Sequence, residues 1–514
     1  MLAKVNSCAL SGLNGYRLTV EADVGLGLSA FDIVGLPDAS VRESRERVRA
    51  AVKNSDYDFP LRRITVNLAP ADIKKIGPSL DLPIAVALLA ATEQLPASEL
   101  LEQAALIGEL SLDGHVRPVS GVLSIASALL EAGIRTLLVP QENAQEAGIV
   151  QGMNVYGVSS LREAVELLSG ESTLLPVQVD VAALFRSRGA VNGPDMSDVK
   201  GQPVVKRALE IAAAGGHNIL MVGSPGSGKT MLAKRLPSIL PELTVEESLL
   251  VTQLFSISGL LPPGQALLTQ RPFRAPHHTA SAVSIIGGGA VPRPGEISLS
   301  THGVLFLDEL PEFQRDVLEA LRQPLEEQHV SITRANARVD YPADFQLVAA
   351  MNPCPCGYYG DALKACTCRP YHRQQYLRKI SGPLMDRIDL HVQVPRVEYD
   401  DLSLQANRAP EESSAVIRQR VLEARERQAR RFAEADCNLN ARMSRRDLEH
   451  YCCLSAEAET LLGQAFRSLG MSGRAHDRIL KVARTIADLD HSDTIGPMHI
   501  AEAIQYRNLD KEES

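Results

Sequence analysis

No stretch of this sequence is apolar for long enough to cross a bilayer, which takes roughly 20 residues. The longest apolar run extends only from Leu82 to Ala91. Met1 to Leu10 mixes lysine, asparagine and serine where an export signal would be continuously apolar, so a cytoplasmic protein with no membrane partner is expected. Positive charge is not in surplus either. A formal net charge of −9 excludes a global attraction to nucleic acid and leaves any DNA contact to a local basic surface. Tryptophan is absent, yet 45% hydrophobic and 22% charged residues is the ordinary balance of a soluble protein. Cysteine is sparse at eight residues, but four of them fall between Cys354 and Cys368. Without an export signal that clustering favours metal over disulfide. The length of 514 residues predicts about three domains.

The most specific motif present is Gly223-Ser-Pro-Gly-Ser-Gly-Lys229-Thr230, which matches G-x-x-x-x-G-K-[ST]. It lies between an apolar stretch, 218–222, and a helix-like run from Met231 to Leu240, the strand–loop–helix setting that such a loop requires. Gly223, Gly226 and Gly228 let backbone N–H groups turn inward on phosphates, with Ser224, Pro225 and Ser227 completing the cradle. The helix that follows adds its positive end. Lys229 is expected to meet the β- and γ-phosphates and Thr230 to ligate Mg²⁺. The chain is therefore expected to bind a nucleoside triphosphate.

Further along, Gly303-Val-Leu-Phe-Leu-Asp308-Glu309 reads as a buried parallel strand with two carboxylates at its carboxyl end. Asp308 would hold Mg²⁺ through water, and Glu309 would orient and deprotonate the attacking water. Another buried strand, Phe345 to Met351, ends in Asn352, which either contacts the γ-phosphate or forms a turn before Pro353. Arg387 lies in Ser381-Gly-Pro-Leu-Met-Asp386-Arg387-Ile-Asp389. It suits an arginine finger reaching a neighbour's γ-phosphate, or else a local pair with Asp389.

Cys354, Cys356, Cys366 and Cys368 form C-x-C, nine residues, C-x-C. Four converging thiolates suit Zn²⁺, and reduced thiols without metal are the alternative. Ser414 to Phe432 has helical spacing through Val416, Ile417, Val421 and Ala424, with Arg418, Arg420, Arg425, Arg427, Arg430 and Arg431 on its other faces. Those arginines read as a solvated face paired with Glu423 and Glu426, or as a DNA-backbone surface. Met471 to Leu489 is a second amphipathic helix with Ile479, Leu480, Val482, Ala483 and Ile486 inward. Near the amino terminus, Tyr16 to Asp23 alternates as a strand, Ser40 to Lys53 has helical spacing, and Ile64, Val66 and Leu68 mark another strand.

The ATP-binding motifs, with Pro272-Phe-Arg-Ala-Pro-His-His-Thr279, Ile286-Gly-Gly-Gly289, Pro294-Gly-Glu-Ile-Ser-Leu299 and Phe306 to Phe313, resemble the magnesium-chelatase-like branch of the AAA+ ATPases. His277 and His278 read as packing of an inserted loop, with metal binding as the weaker alternative. His329 to Phe345 resembles that branch's pre-sensor hairpin, which lines the pore of related hexamers. By the same resemblance Arg474, with Arg478 as its fallback, would touch the nucleotide from the start of the last long helix. The order of elements through Gly77-Pro-Ser79-Leu-Asp81 and Ile107 to Pro140 is similar to the proteolytic domain of Lon proteases. That resemblance makes Ser79 a candidate nucleophile, but Ile125 stands where a lysine would activate it, so no peptidase activity is expected. Ser79 is expected to cap the next helix instead.

Taken together the chain resembles the YifB/ComM family. The expected fold is α/β: an inactive α+β Lon-protease-like domain of the ribosomal S5 domain 2 type at 1–170 and a linker at 171–185. An AAA+ P-loop core at 186–395 and a helical lid at 396–514 follow. The resemblance implies a homohexameric motor driven by ATP and Mg²⁺, acting on branched or single-stranded DNA in natural transformation and recombination. A magnesium-chelatase-type or protein-remodelling ATPase is the alternative.

Overall fold

The computed structural model describes residues 1–186, 193–289, 291–334, 337–361, 363–396, 411–435 and 437–507. Gly189 just after the expected linker, the hairpin tip at Ala335 and Asn336, and the start of the expected lid at 397–410 lie outside the described residues. No helix among the described residues is long and apolar enough to cross a membrane.

The amino-terminal part is a mixed seven-stranded sheet. Leu2–Ser11 and Asn14–Gly25 form its long antiparallel centre, in register from Leu2 opposite Asp23 to Ser11 opposite Asn14. Alternation along the second strand buries Leu18, Val20, Ala22 and Val24 on one face. Arg63–Ala69 pairs antiparallel on one side and carries Ala30–Val34 as a parallel edge. On the other side Ala104–Leu106, Thr136–Pro140 and Asn154–Val158 continue in parallel. The helix Asp81–Ala91 is apolar on all sides and buried almost throughout. Its buried Asp81 is satisfied by Arg47 of the helix Ala39–Asn54, at 2.6 Å.

One expectation for this part changes. The helix after Ser79 has no side-chain cap: Leu80 stands at the N-cap, and Ser79 contributes only its carbonyl, which accepts from the Gly108 N–H at 2.8 Å. The expected linker, 171–185, is docked on its neighbours. Val177 pairs with Val155 of the edge strand, and Val179, Val181, Leu184 and Phe185 pack around Leu123, Ile149, Ala266 and Leu267. Apolar burial of about 25 cal/mol per Å² favours this docking over a solvated chain.

The central part is a five-stranded parallel sheet in the order Phe273–Arg274, Val304–Leu307, Gln346–Met351, Ile219–Val222, Leu390–Gln393. All five strands are short; Val304–Leu307, Gln346–Met351 and Ile219–Val222 are continuously apolar apart from Gln346, as strands covered on both faces must be. The helices Ser414–Arg431 and Gly473–Leu489 share a single hydrophobic core with this sheet and with the helix Pro203–Gly215. Ile417, Val421 and Ala424 are inward as expected, while Val416 is exposed.

Tertiary packing commits most arginines of the basic helix, while Arg430 keeps the expected solvated pair, with Glu426 at 3.9 Å. Arg418 donates to the Ser238 carbonyl, Arg425 to the Ala213 carbonyl, Arg420 pairs with Glu210 and Glu412, and Arg427 pairs with Asp493. Burial brings the Arg425 guanidinium down to about 10. Asp488 gathers the strongest of these knots: it is fully buried and accepts from Arg431, Arg484 and Asn440. Removing one member of a buried, hydrogen-bonded charge cluster costs about 3–5 kcal/mol. Asp488→Ala is therefore expected to lower the free energy of unfolding by about 3 kcal/mol. Urea titration followed by circular dichroism measures this, and a change within about 0.5 kcal/mol contradicts the assignment.

Candidate nucleotide-binding site

Parallel strands deliver whatever follows them to one edge of the sheet, and here that edge gathers the polar groups. Ile219–Val222 runs into the phosphate loop, Val304–Leu307 into Asp308 and Glu309, Gln346–Met351 into Asn352, and Phe273–Arg274 into His277 and His278. A cavity of about 500 Å³ is lined by the loop from Pro225 to Met231 with Asp308, Glu309, Met351 and Asn352.

Within the loop, Gly226 and Gly228 have φ of 80° and 90°, which a side chain would strain. Gly223 is required for a different reason: a Cβ there would sit 2.4 Å from the Val394 carbonyl oxygen. Ser227 Oγ is buried without a protein partner among the described residues, as suits a cradle built for a polar ligand. The helix after the loop is shorter than the pattern implies. It divides into Lys229–Ala233 and Leu236–Ile239, because Pro237 cannot donate into a continuous ladder.

Lys229 is mostly buried and donates to the carbonyls of Gly223 (2.7 Å) and Ser224 (3.1 Å) and to Asn352 Oδ1 (3.3 Å). Burial lowers its pKa, opposed by Asp308 and Glu309. Thr230 Oγ1 donates to Asp308 Oδ2 at 2.8 Å, an all-oxygen pair of the kind Mg²⁺ takes. Glu309 has φ of 52°, an uncommon conformation for a residue with a side chain and one found at functional turns. Gln202, also at positive φ, donates from Nε2 to the carbonyls of Ser227 and Pro395, both at 3.0 Å, and so braces the loop.

Two contacts escaped the sequence. His278 Nδ1 lies 3.2 Å from Glu309 Oε2, so this histidine does more than pack its loop. Its signal was positional, a few residues past a strand that ends at the same sheet edge. Asp361 accepts from Ser224 Oγ at 2.6 Å, a contact with no sequence signal because it depends on how the cysteine loop folds back.

The structure keeps three expected residues away from this edge. Asp389 directly precedes the strand Leu390–Gln393, and its N–H meets the Asn218 carbonyl at the amino edge of the sheet. Arg478 binds Asp389 at 3.0 Å, and His217 Nδ1 lies 3.2 Å from the same carboxylate. Arg387 is thus not paired with Asp389. It binds Glu326 and donates to the Pro383 carbonyl, with its Nε buried and unpaired among the described residues. Arg474 is 69% exposed and reaches Asp386 at 3.4 Å. A strand of four residues is about 13 Å long. Arg387 and Arg478, placed at the amino edge, do not reach the phosphate loop of their own chain, and Arg474 is engaged beside them.

All eight cysteines are free thiols, and the ligand atoms of Cys354, Cys356, Cys366 and Cys368 lie within 4.8 Å of one another. In the amino-terminal part Ile125, which stands where the Lon resemblance would put an activating lysine, is buried and aliphatic. The one fully buried lysine nearby in sequence, Lys75, donates to the Pro70 carbonyl.

Gly223→Ala tests the cradle. The added carbon forces the loop off Val394, a cost of about 1–3 kcal/mol. Nucleotide affinity is expected to fall about tenfold or more with the fold retained. Titration with a fluorescent ATP analogue reads it, and unchanged affinity contradicts the cradle geometry.

Comparison with known proteins agrees with the architecture. The family described as magnesium chelatase, subunit ChlI, matches residues 195–402. Subunit ChlI of Mg-chelatase matches 20–143, and the ChlI C-terminal family matches 411–507. The chain is 45% identical over 511 residues to YifB of Salmonella typhimurium, covering 99% of this chain and 98% of that protein. It is 44% identical over 514 residues to competence protein ComM of Haemophilus influenzae, with coverage of 99% and 98%. Lon protease of Geobacter metallireducens is 27% identical over 149 residues, 28% of this chain and 18% of that protein. On this full-length identity the chain belongs to the magnesium-chelatase-like AAA+ family, in the group that contains YifB and ComM.

Proposed function

We propose that this protein is a ring-forming ATPase that moves branched or single-stranded DNA, with one nucleotide at each junction between copies. The observation that carries this reading is the division of polar groups between the two edges of one sheet. Lys229, Thr230, Asp308, Glu309 and Asn352 occupy the carboxyl edge, and Arg387 the amino edge. A second copy is then needed to complete each site, which favours a closed ring, here a homohexamer.

In this reading the loop from Gly223 to Thr230 holds the phosphates and Lys229 exchanges its carbonyl and Asn352 contacts for phosphate oxygens. Thr230 and Asp308 hold Mg²⁺, which when bound supplies positive charge against the phosphate oxygens. Glu309 accepts the proton of the attacking water, and His278 orients Glu309. Arg387, with Arg474 beside it, faces the next copy's γ-phosphate. The hairpin His329–Arg334 and Ala337–Pro342 is the element that would grip DNA in the pore. The name of the ComM relative, a competence protein, supports DNA as the cargo and transformation as the setting. ATP and Mg²⁺ are the cofactors required, and Zn²⁺ is assigned to the four cysteines. Residues 1–170 are assigned as the Lon-like domain, 186–395 as the core and 396–514 as the lid, all in the cytoplasm.

The chelatase family descriptions favour a second reading, a motor that remodels a protein or loads a metal. Turnover separates the two: forked or four-way DNA is expected to stimulate ATP hydrolysis and unfolded protein is not, and the reverse pattern selects the second reading. Glu309→Gln is expected to bind ATP but hydrolyse it about a hundredfold more slowly. Arg387→Ala is expected to lose about 10³ in turnover. Mixing it with Lys229→Ala restores roughly a quarter of wild-type activity, the share of junctions that pair an intact loop with an intact finger in a random ring. Full activity of a monomeric Arg387→Ala protein contradicts the shared site.

A further inference from the structure

The loop between Asn352 and the helix Pro370–Leu377 has no regular secondary structure among its described residues, yet it packs directly on the phosphate loop. Its apolar content is small. What gives it shape is a knot of sulfur. Cys354 Sγ lies 3.4 Å from Cys356 Sγ and 3.7 Å from Cys366 Sγ, and the last two are 3.6 Å apart. These separations are far beyond a disulfide bond of about 2.05 Å. They are close to the edge of about 3.8 Å in a tetrahedron of four sulfurs, each about 2.3 Å from a central Zn²⁺. Backbone N–H groups also point at the sulfurs, from Cys368 to Cys366 at 3.4 Å and from Tyr358 and Thr367 to Cys356. Such donors stabilise thiolates that hold a metal.

From this knot two contacts lead to the nucleotide site. Asp361, its carboxylate almost fully buried, caps the approach to Cys366 by accepting from the N–H groups of Leu363 (2.9 Å) and Lys364 (3.0 Å). The same carboxylate accepts from Ser224 Oγ of the phosphate loop at 2.6 Å and lies 3.0 Å from Arg396 Nε. Gly357, at φ of 85°, lies against Pro225 so closely that a Cβ would stand 2.6 Å from Pro225 Cδ. Two cations approach the Tyr358 ring, Lys364 at 5.0 Å and Arg396 at 5.8 Å from its centroid. The knot therefore touches Ser224 and Pro225, two residues that shape the cradle, without itself lining the cavity.

We propose that the four-cysteine loop is a Zn²⁺-dependent latch on the phosphate loop: bound zinc sets Asp361 and Gly357 against Ser224 and Pro225, and its loss weakens nucleotide binding. The latch rests on the nucleotide-site reading given above and deepens it by naming a regulator of that site. Without a cation, four converging sulfurs gain no attraction from their arrangement, and the turn that presents Asp361 loses its anchor. The ligand is a thiophilic divalent cation, and Mg²⁺, which prefers oxygen, does not substitute for it.

The test uses the full-length protein in excess Mg²⁺. Metal analysis is expected to find about one zinc per chain. Cobalt exchanged into the site is expected to show thiolate-to-metal charge transfer, which Cys366→Ser abolishes. Stripping zinc with a zinc-selective chelator is expected to raise the Kd for a fluorescent ATP analogue about tenfold or more, and added Zn²⁺ restores it. Asp361→Ala is expected to retain the metal yet bind nucleotide as weakly as the stripped protein. Should stripping unfold the chain, this variant decides the matter alone. The latch is overturned if the protein neither contains nor takes up zinc. It is also overturned if zinc leaves without a change in Kd, or if Asp361→Ala binds nucleotide normally. Failure of the zinc-loaded wild-type protein to bind the analogue overturns the nucleotide reading itself.

Discussion

Between Asn218 and Gly223 the chain crosses the sheet in four residues, about 13 Å of extended backbone. That short span divides the chemistry of the molecule. At one end the strands open onto Lys229, Thr230, Asp308, Glu309 and Asn352. At the other, Asn218 accepts from the N–H groups of Asp389 and Leu390 and donates to the carbonyl of Arg387, fixing the segment that carries the arginines. Because parallel strands all point the same way, groups leaving opposite edges cannot be brought together by side-chain rotation. The separation is built into the direction of the chain.

The helical carboxyl-terminal part depends on the same sheet. Its helices bury Ile417, Val421, Ile479, Val482 and Ile486 against Pro203–Gly215, so that sheet, flanking helix and lid form one core. Arginines reinforce the packing by donating to carbonyls at the end of the flanking helix, as Arg425 does to Ala213. Arginine is suited to such sites because its planar donors remain charged and bridge several acceptors. The start of the last long helix is thereby held beside Asp386 and Asp389, and Arg474 and Arg478 take up partners there.

The amino-terminal part shows a related economy. Gly121, in the left-handed conformation, donates to Ser256 of the central part at 2.8 Å, and Ser256 in turn donates to the buried Glu146. Burial raises the Glu146 pKa against the pull of these hydrogen bonds. The helix Val122–Glu131, which follows Gly121, buries Ile125 in the core. These contacts tie the amino-terminal part to the central part.

Local pattern determined a good deal by itself. Gly226 and Gly228 make the phosphate loop readable, since only glycine adopts those angles without strain, and the runs 219–222, 304–307 and 346–351 declare buried parallel strands. Asp308, Glu309 and Asn352 could be named because strand ends in such a sheet share one edge. Composition also separated the cysteine cluster from the scattered thiols. What tertiary structure alone decided were the partners of long side chains. Six arginines on one helix look the same whether they face solvent, DNA or a carbonyl, and only the packing of that helix on Pro203–Gly215 chooses among these. The pairing of Asp389 with Arg478 in place of Arg387, the approach of His278 to Glu309 and the reach of Asp361 to Ser224 were likewise settled by the fold. Each joins residues from separate elements, and sequence spacing carries no information about a distance set by how those elements pack.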